Sequence, residues 1–329
     1  MVSNAYIFGC EGPELSAQEY RFFESAQPWG FILFARNVQD KAQLKRLTDG
    51  LRASVGRDAP ILIDQEGGRV QRLRGPIWQE FPPALDQMEK AHNPARAMYL
   101  RNRLIAADLH EVGIDVNCAP VADVLQPGTH PVMKNRCYSD DVATVVAMCQ
   151  QAARGLRDGG VLPVLKHIPG YGRAVVDGHL DLPRVDVPRA ALDMLDFAPF
   201  KALSEIRMGM TAHIVFPVID DAPATTSPKA MAMIRNDIGY QGLIMTDDIS
   251  MEALSGKVAD RSVASLNAGC DLVLHCNGQM DDMVAIAQTC GPMTAQAQAR
   301  AKAALAERQT PTDIDILALR AEFETLING

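Results

Sequence analysis

Three segments of the chain combine acidic, basic and imidazole side chains at spacings that could support proton transfer or nucleophilic attack. They are DQEGGRVQRLRGP at 64–76, KHIPGYGRAVVDGHLDLP at 166–183 and GLIMTDDISMEAL at 242–254. In the second segment one residue separates Asp177 from His179, so a tight turn can bring the carboxylate to an imidazole nitrogen. Such a pair favours the charged imidazole and suits a proton donor that works near neutral pH. A simple turn with a solvent-facing His179 is the alternative.

Two carboxylates come directly after apolar runs. Asp247 follows LIMT and could act as a nucleophile. Asp64 follows ILI and could accept hydrogen bonds from two sugar hydroxyls, while a nearby arginine donates to others. A solvated loop is the alternative for 64–76. We interpret Asp248 as a cap of the helix that follows it.

The elements that must position these residues are visible in the hydrophobic pattern. Eight short apolar runs alternate with longer segments of helical periodicity, at 5–9, 31–35, 61–64, 114–117, 161–167, 208–214, 243–247 and 271–276. Eight alternations predict an α/β fold, a single (β/α)8 TIM barrel domain over residues 1–329. The segments 292–308 and 312–327 predict extra C-terminal helices outside the barrel. An open doubly wound sheet is the alternative, but no G-x-G-x-x-G follows an early strand.

Titratable residues are concentrated where the predicted strands end. These are Asp64, Lys166, His167, His213, Asp247, Asp248 and His275. A TIM barrel carries its site at the C-terminal ends of its strands and in the loops that follow them. The pattern therefore predicts a polar pocket at the mouth of the barrel.

Composition argues against several classes of function. A net charge of −8 without a dense Lys/Arg run disfavours a nucleic-acid partner. The seven cysteines form no C-x-x-C pair, which argues against a zinc site or a disulfide framework and suits a reducing compartment. The N-terminal segment shows no signal-peptide pattern, and no run of about 18 apolar residues occurs. We therefore expect a cytoplasmic protein without a membrane partner.

Seven ordered segments resemble glycoside hydrolase family 3, and within it the single-domain bacterial β-N-acetylglucosaminidases. The segments are DQEGGRVQR (64–72), GIDVNCAPVADV (113–124), NRCYSDD (135–141), KHIPGYG (166–172), DGH (177–179), TAHIVFP (211–217) and GLIMTDDISM (242–251). Three positions depart from the family pattern: Tyr171, Gly178 and Leu180 stand where the family usually has His, Ser and Lys.

The resemblance implies a role for each matching residue. Asp247 would be the catalytic nucleophile, His179 the acid/base and Asp177 the residue that orients His179. The residues that hold N-acetylglucosamine would be Asp64, Arg72, Arg136, Lys166 and His167. The implied reaction releases this sugar, with retention and through a covalent intermediate, from 1,6-anhydro-N-acetylmuramic acid fragments in peptidoglycan recycling. No metal or organic cofactor is implied, and we expect a small carbohydrate substrate and a monomer or weak dimer.

Four alternatives stay open from the sequence. The acetamido oxygen of the substrate could attack, with Asp247 or Asp248 only stabilising the intermediate. Lys166 could form a Schiff base with a carbonyl substrate. The barrel could bind a sugar without cleaving it, although both proposed catalytic positions are filled. A glucose-specific relative is the fourth, but such enzymes usually carry the acid/base residue on a second large domain, for which this chain has no room.

Overall fold

The barrel expected from the sequence is confirmed. A computed structural model of the protein describes residues 3–176 and 181–328, and its eight parallel strands form a closed barrel in which β1 pairs with β8. The strands are β1 (Asn4–Gly9), β2 (Pro28–Leu33), β3 (Ile61–Ile63), β4 (Val116–Asn117), β5 (Leu162–Ile168), β6 (Met208–Thr211), β7 (Leu243–Asp248) and β8 (Leu272–His275). Each strand lies beside its neighbours in sequence order. The alternative of an open doubly wound sheet is therefore excluded.

Helices lie between the strands and after the last of them. In the described ranges they are α1 (Ala17–Ala26), α2 (Lys41–Val55), α3 (Ala84–Lys90), α4 (Pro94–Glu111), α5 (Pro131–Lys134), α6 (Val142–Asp158), α7 (Arg189–Ala191), α8 (Ala198–Ala202), α9 (Pro228–Met233), α10 (Val258–Ala268), α11 (Met280–Cys290), α12 (Ala295–Leu305) and α13 (Ile316–Asn328). Short 3₁₀ or π-helical turns lie at Ala35–Asn37, Leu192–Asp196, Ala224–Thr226 and Ile234–Ile238. Within these same residues, no helix has the length and apolarity needed to cross a bilayer.

The strands are buried on both faces, as parallel strands covered by helices must be. In β1, Ile7 packs with inward residues of the other strands, whereas Tyr6 and Phe8 pack with the helix layer. Leu62 of β3 faces the interior, and its neighbours Ile61 and Ile63 face outward. This alternation explains why the strands appear in the sequence as continuous apolar runs.

The helix α12 covers the N-terminal end of the barrel. Its residues Ala297, Ala301 and Ala304 belong to the same buried cluster as Ala5 and Trp29, the second residues of β1 and β2. Alanine side chains let the helix approach the strand ends closely. The interior is therefore filled and closed at this end, and a ligand must enter at the C-terminal ends of the strands.

The helix α13 packs on the outside of the barrel, as the sequence predicts for the C-terminal segments. Phe323 is fully buried and its ring meets that of Phe81. Arg96 of α4 forms two hydrogen bonds with Glu322 at 2.7 and 2.8 Å. Since both partners of that ion pair are about two-fifths exposed, the buried ring of Phe323 contributes more to this attachment than the charges do.

Candidate active site

Two acidic and three basic side chains meet at the mouth of the barrel, and we refer to them as the charged cluster. Lys166, on β5, places its Nζ 2.9 Å from Asp64 Oδ1 and 2.7 Å from Glu66 Oε1. Arg136, from the segment after α5, donates to the same Glu66 from two nitrogens, at 2.8 and 2.9 Å. Arg72 Nη2 lies 3.2 Å from Asp64 Oδ2. The structure thus brings together four predicted sugar-binding residues.

The charges of the cluster stabilise one another against burial. Burial alone would raise the pKa of Asp64, but the positive charges of Lys166 and Arg72 outweigh it and lower that pKa. Burial would likewise lower the pKa of Lys166, but Asp64 and Glu66 raise it above its ordinary value. Lys166 is thus held between two carboxylates, a pairing that favours its ammonium form and argues against the Schiff-base alternative.

His167 lies beside the cluster in a fixed orientation. Its Nδ1 is 2.6 Å from Asp123 Oδ2, and its Nε2 is 3.2 Å from Arg136 Nη2. Because a guanidinium can only donate, Nε2 accepts this bond and Nδ1 donates to the carboxylate. Asp123 is fully buried and also accepts from the backbone N–H of Tyr171 at 2.7 Å. One carboxylate thus fixes both the His167 ring and the start of the loop after β5.

An irregularity in β5 brings two consecutive side chains to the mouth. In a regular strand successive side chains point to opposite faces. The pairing of β5 with β6 changes register between Leu165 and Ile168, however. Lys166 and His167 lie within this interval, and both contact residues of the charged cluster.

Asp247 and Asp248 end β7, and their environments differ. Asp247 is half-buried, and its Oδ1 accepts from the backbone N–H of Asp248 at 2.8 Å. The interpretation of Asp248 as a helix cap is wrong. The next helix, α10, begins ten residues later, and Asp248 instead accepts from Ser250 Oγ at 2.7 Å and from the Cys276 backbone N–H at 3.2 Å. Asp248 therefore links the ends of β7 and β8.

A small cavity of about 30 Å³ lies at this end of the barrel, inside a recess of about 380 Å³ that is open to solvent. Its lining is half polar and half apolar: His130, Val132, Met133, Arg136, His167, Tyr171, Val176, His213, Asp247 and Met251. Arg136, a member of the charged cluster, lines the cavity, and so does His167, which contacts Arg136; the cluster therefore lies beside the space that Asp247 faces. A carboxylate, donors and apolar surface are thus available to one ligand.

Two predicted catalytic residues, Asp177 and His179, lie outside the described residues. Within 3–176 and 181–328, no group of three or more His, Cys, Asp or Glu side chains is arranged to hold a metal ion. Sequence reasoning assigned no role to Glu66 or Asp123, although both lie in segments that it singled out, 64–72 and 113–124. Their acidic character inside segments rich in functional candidates was the available signal.

We expect Glu66→Gln to lower both stability and substrate affinity, because it leaves Lys166 and Arg136 with less negative charge in a buried place. Removing one partner of a buried pair costs about 3 kcal/mol or more. Burial alone would raise the pKa of Glu66, but Arg136 and Lys166 lower it below its ordinary value of 4.5. The carboxylate therefore contributes stability above pH 4.5, and this contribution disappears as the pH falls through the lowered pKa.

Urea unfolding of both proteins between pH 3 and pH 7 measures this prediction, together with KM at pH 7. The difference between wild type and variant should be largest near neutrality and should shrink in acid. Glu80→Gln is the matched control, since Glu80 pairs with Arg74 at the surface, where such pairs contribute about 0–1 kcal/mol. Equal unfolding free energies of E66Q and wild type at pH 7 would refute the proposed buried bridge.

Comparison with known proteins identifies the family. The model of the glycosyl hydrolase family 3 N-terminal domain matches residues 16–305. A β-hexosaminidase of Alkalilimnicola ehrlichii is 36% identical over 285 residues, 84% of this chain and 82% of that protein. A β-hexosaminidase of Stenotrophomonas maltophilia strain K279a is 37% identical over 290 residues, 84% of each chain.

The fold agrees with a solved member. A crystal structure of NagZ from Neisseria gonorrhoeae, in complex with N-trifluoroacetyl-D-glucosamine, superposes with a TM-score of 0.87 at 29% identity, covering 100% of this chain and 99% of that one. The resemblance found in the sequence segments is thereby confirmed. The chain, which carries this charged cluster and the carboxylate of β7 at the mouth of its barrel, belongs to glycosyl hydrolase family 3.

Proposed function

We propose that this enzyme is a β-N-acetylhexosaminidase that removes terminal β-linked N-acetylglucosamine. The observation that carries the proposal is the half-buried carboxylate of Asp247 at a cavity whose wall continues, through Arg136, into the charged cluster. The β-hexosaminidases that are 36% and 37% identical support the specificity. So does the related NagZ structure, which contains an N-acylated glucosamine.

The cluster suits a polyhydroxylated ligand. Asp64 has oxygens that accept from hydroxyl groups, and Lys166 and Arg72 hold donors beside them. Charge-assisted hydrogen bonds of this kind are stronger and more directional than neutral ones. His167 lines the same cavity, and its Nε2 accepts from Arg136. In our proposal these four residues, with Arg136, fix the ring so that its anomeric carbon faces Asp247.

The proposed reaction has two steps and retains the anomeric configuration. Asp247 attacks the anomeric carbon, while His179, oriented by Asp177, protonates the departing oxygen. His179 then removes a proton from water, which attacks the glycosyl–Asp247 ester and releases the sugar. Asp177 and His179 enter this scheme from the sequence, since they are outside the described residues.

Substrate-assisted attack by the acetamido oxygen is the competing mechanism. An activated 2-fluoro glycoside distinguishes the two, because it has no acetamido group and forms a slowly hydrolysed ester with a nucleophile. A covalent mass increase on a peptide that contains Asp247 supports the two-step mechanism. The absence of any protein-bound adduct contradicts it, and an uncleaved probe is the outcome that the substrate-assisted mechanism predicts, since that mechanism needs the acetamido group.

We expect kcat/KM for nitrophenyl β-N-acetylglucosaminide to exceed that for the β-glucoside by a factor of about 100. The acetamido group adds apolar area and hydrogen-bonding atoms, and a site built for such a group discriminates by about 3 kcal/mol or more. The measurement uses both glycosides and the N-acetylgalactosaminide under identical conditions. Equal rates on glucoside and N-acetylglucosaminide would refute the specificity while leaving the glycosidase assignment intact.

The natural substrate in our proposal is the disaccharide of N-acetylglucosamine and 1,6-anhydro-N-acetylmuramic acid, with or without its peptide, in peptidoglycan recycling. The likeness to NagZ over nearly the full length of both chains supports this choice. Release of N-acetylglucosamine from the purified disaccharide, at a kcat/KM at least equal to that on chitobiose, is the expected result. A cytoplasmic location stays a prediction.

A further inference from the structure

A continuous chain of hydrogen bonds joins β6 to the backbone next to Asp247. Thr211 Oγ1 lies 2.9 Å from Thr225 Oγ1, and Thr225 Oγ1 lies 2.8 Å from His213 Nδ1. His213 Nε2 lies 3.0 Å from the backbone carbonyl oxygen of Asp248. Thr211 and Thr225 are fully buried and His213 is 1% exposed. His213 was expected near the mouth of the barrel from its strand-end position, but the proposed mechanism gives neither it nor the two threonines a role in the reaction.

The donor and acceptor of each hydrogen bond in this series follow from its last group, the backbone carbonyl oxygen of Asp248. A carbonyl oxygen can only accept, so His213 Nε2 donates to Asp248. In the neutral ring Nδ1 then accepts, and the Thr225 hydroxyl must donate to it, since otherwise two lone pairs would face each other. The Ala212 carbonyl oxygen lies 3.1 Å from the same hydroxyl, but that hydroxyl has one proton. Thr211 therefore donates to Thr225.

The hydrogen-bond chain requires a neutral His213 ring, and the surroundings of His213 favour this form. Burial lowers the pKa of His213, and the opposing effect of the Asp247 and Asp248 charges is smaller. The nearby Arg261 lowers this pKa further. The ring is therefore neutral near pH 7, with one proton, and the hydrogen bonds place that proton on Nε2.

The hydrogen-bond chain ends at Asp248, whose backbone orients the proposed nucleophile. Asp248 donates its backbone N–H to Asp247 Oδ1 at 2.8 Å. Its side chain is held by Ser250 and by the Cys276 backbone, and its carbonyl oxygen by His213. The N–H, the carbonyl oxygen and the side chain of Asp248 each have a hydrogen-bond partner, so the N–H group has little freedom to move.

We infer that His213 is a positioning residue, which the Thr225 hydroxyl holds in one tautomer so that the Asp248 backbone aims the Asp247 carboxylate at the anomeric carbon. This inference rests on the proposed role of Asp247 as nucleophile. A misplacement of a reacting atom by about 1 Å can lower a rate about 100-fold without a change in binding. The hydrogen-bond chain should therefore affect the rate at which Asp247 bonds to the anomeric carbon more than it affects ligand affinity.

The variant Thr225→Val tests the inference without altering the cavity, because Thr225 is not among the cavity-lining residues. Its hydroxyl is replaced by a methyl group of similar size, so Nδ1 loses its donor. We expect the covalent adduct with a dinitrophenyl 2-fluoro glycoside to form at least tenfold more slowly than in the wild type. The dissociation constant of N-acetylglucosamine, measured by calorimetry, should change less than twofold.

Two further variants separate positioning from general damage. Thr225→Ser keeps the hydroxyl and should recover the adduct rate to within threefold of the wild type. Thr226→Val is the matched control, because the neighbouring Thr226 donates only to the Pro223 carbonyl and is not part of the hydrogen-bond chain.

If T225V does not unfold cooperatively, His213→Gln and His213→Leu replace it. The glutamine amide can donate to Asp248 in place of Nε2, so H213Q should react at least tenfold faster than H213L.

The outcomes distinguish the inference from the proposed function on which it rests. An adduct that forms in T225V at the wild-type rate overturns the inference and leaves Asp247 as nucleophile. Equal losses of adduct rate and of N-acetylglucosamine affinity also overturn it, since they indicate structural damage. The absence of any adduct in the wild type overturns the nucleophile and the positioning role together. A rate loss with unchanged affinity, recovered in T225S, supports both.

Discussion

Replacing Asp247 by alanine should lower kcat on nitrophenyl β-N-acetylglucosaminide by a factor of about 10⁴ or more, equivalent to roughly 5.5 kcal/mol of activation free energy. The variant loses the atom that bonds to the anomeric carbon, and water cannot replace it in the same position. Folding should be retained, because Asp247 is half-buried and its described partner is a neighbouring backbone N–H. The thermal midpoint should stay within about 2 °C of the wild type, as for a substitution near the surface.

Two companion variants sharpen this experiment. Asp247→Asn keeps the shape of the side chain and should be nearly as inactive, which separates the loss of the nucleophile from the loss of volume. Glu252→Ala removes an exposed acid five residues away and should keep full activity. If D247A retained more than a tenth of the wild-type kcat, Asp247 would not be the nucleophile, and the substrate-assisted mechanism would become the better explanation.

Replacing His179 by alanine should produce a loss that depends on the leaving group. General acid catalysis contributes about 10² to 10⁴ in rate when the departing oxygen needs a proton, and much less when it leaves readily as an anion. We expect kcat/KM on a disaccharide to fall about 10³-fold, and on a dinitrophenyl glycoside less than tenfold. The variant should also lose one limb of the pH dependence of kcat/KM on the disaccharide.

Measuring both substrates with H179A and D247A gives a clear separation of roles. The nucleophile variant should be impaired on every leaving group, whereas the acid/base variant should be selectively impaired on poor ones. Equal losses of H179A on both glycosides would remove His179 from the role of proton donor. His110→Ala serves as a control, because His110 lies on α4, away from the cavity-lining residues.

The strands could be predicted from the sequence because burial on both faces leaves a continuous apolar run. Their lengths could not, and β4 shows why. The run predicted at 114–117 contributes only Val116 and Asn117 to the sheet. The Asn117 side chain bonds the Gln65 backbone twice, at 3.0 Å each, and so replaces ladder bonds between β3 and β4. Ile114 instead closes the end of α4 through the Leu109 carbonyl.

Residues of the candidate site could be predicted where a titratable residue stands at the end of an apolar run. Contacts between residues that are distant in the sequence could not be predicted. Asp64 and Lys166 could be placed at strand ends from the sequence. The pairing of Glu66 with Arg136 joins residues 70 positions apart, and no local pattern encodes it. The interpretation of Asp248 was wrong because an acid before an amphipathic segment resembles a helix cap. Its partner is instead the backbone N–H of Cys276, the residue that follows the adjacent strand β8. Only tertiary structure supplies such contacts.

The irregular register of β5 has a consequence for protein engineering. Anyone who grafts this pair of proposed sugar-binding residues onto another barrel would have to transfer the distortion along with the side chains. On an evenly pleated recipient strand, only one of Lys166 and His167 would reach the ligand, and the other would be buried among the surrounding helices. The transferable module is therefore β5 together with β6, since the shift is defined relative to that strand.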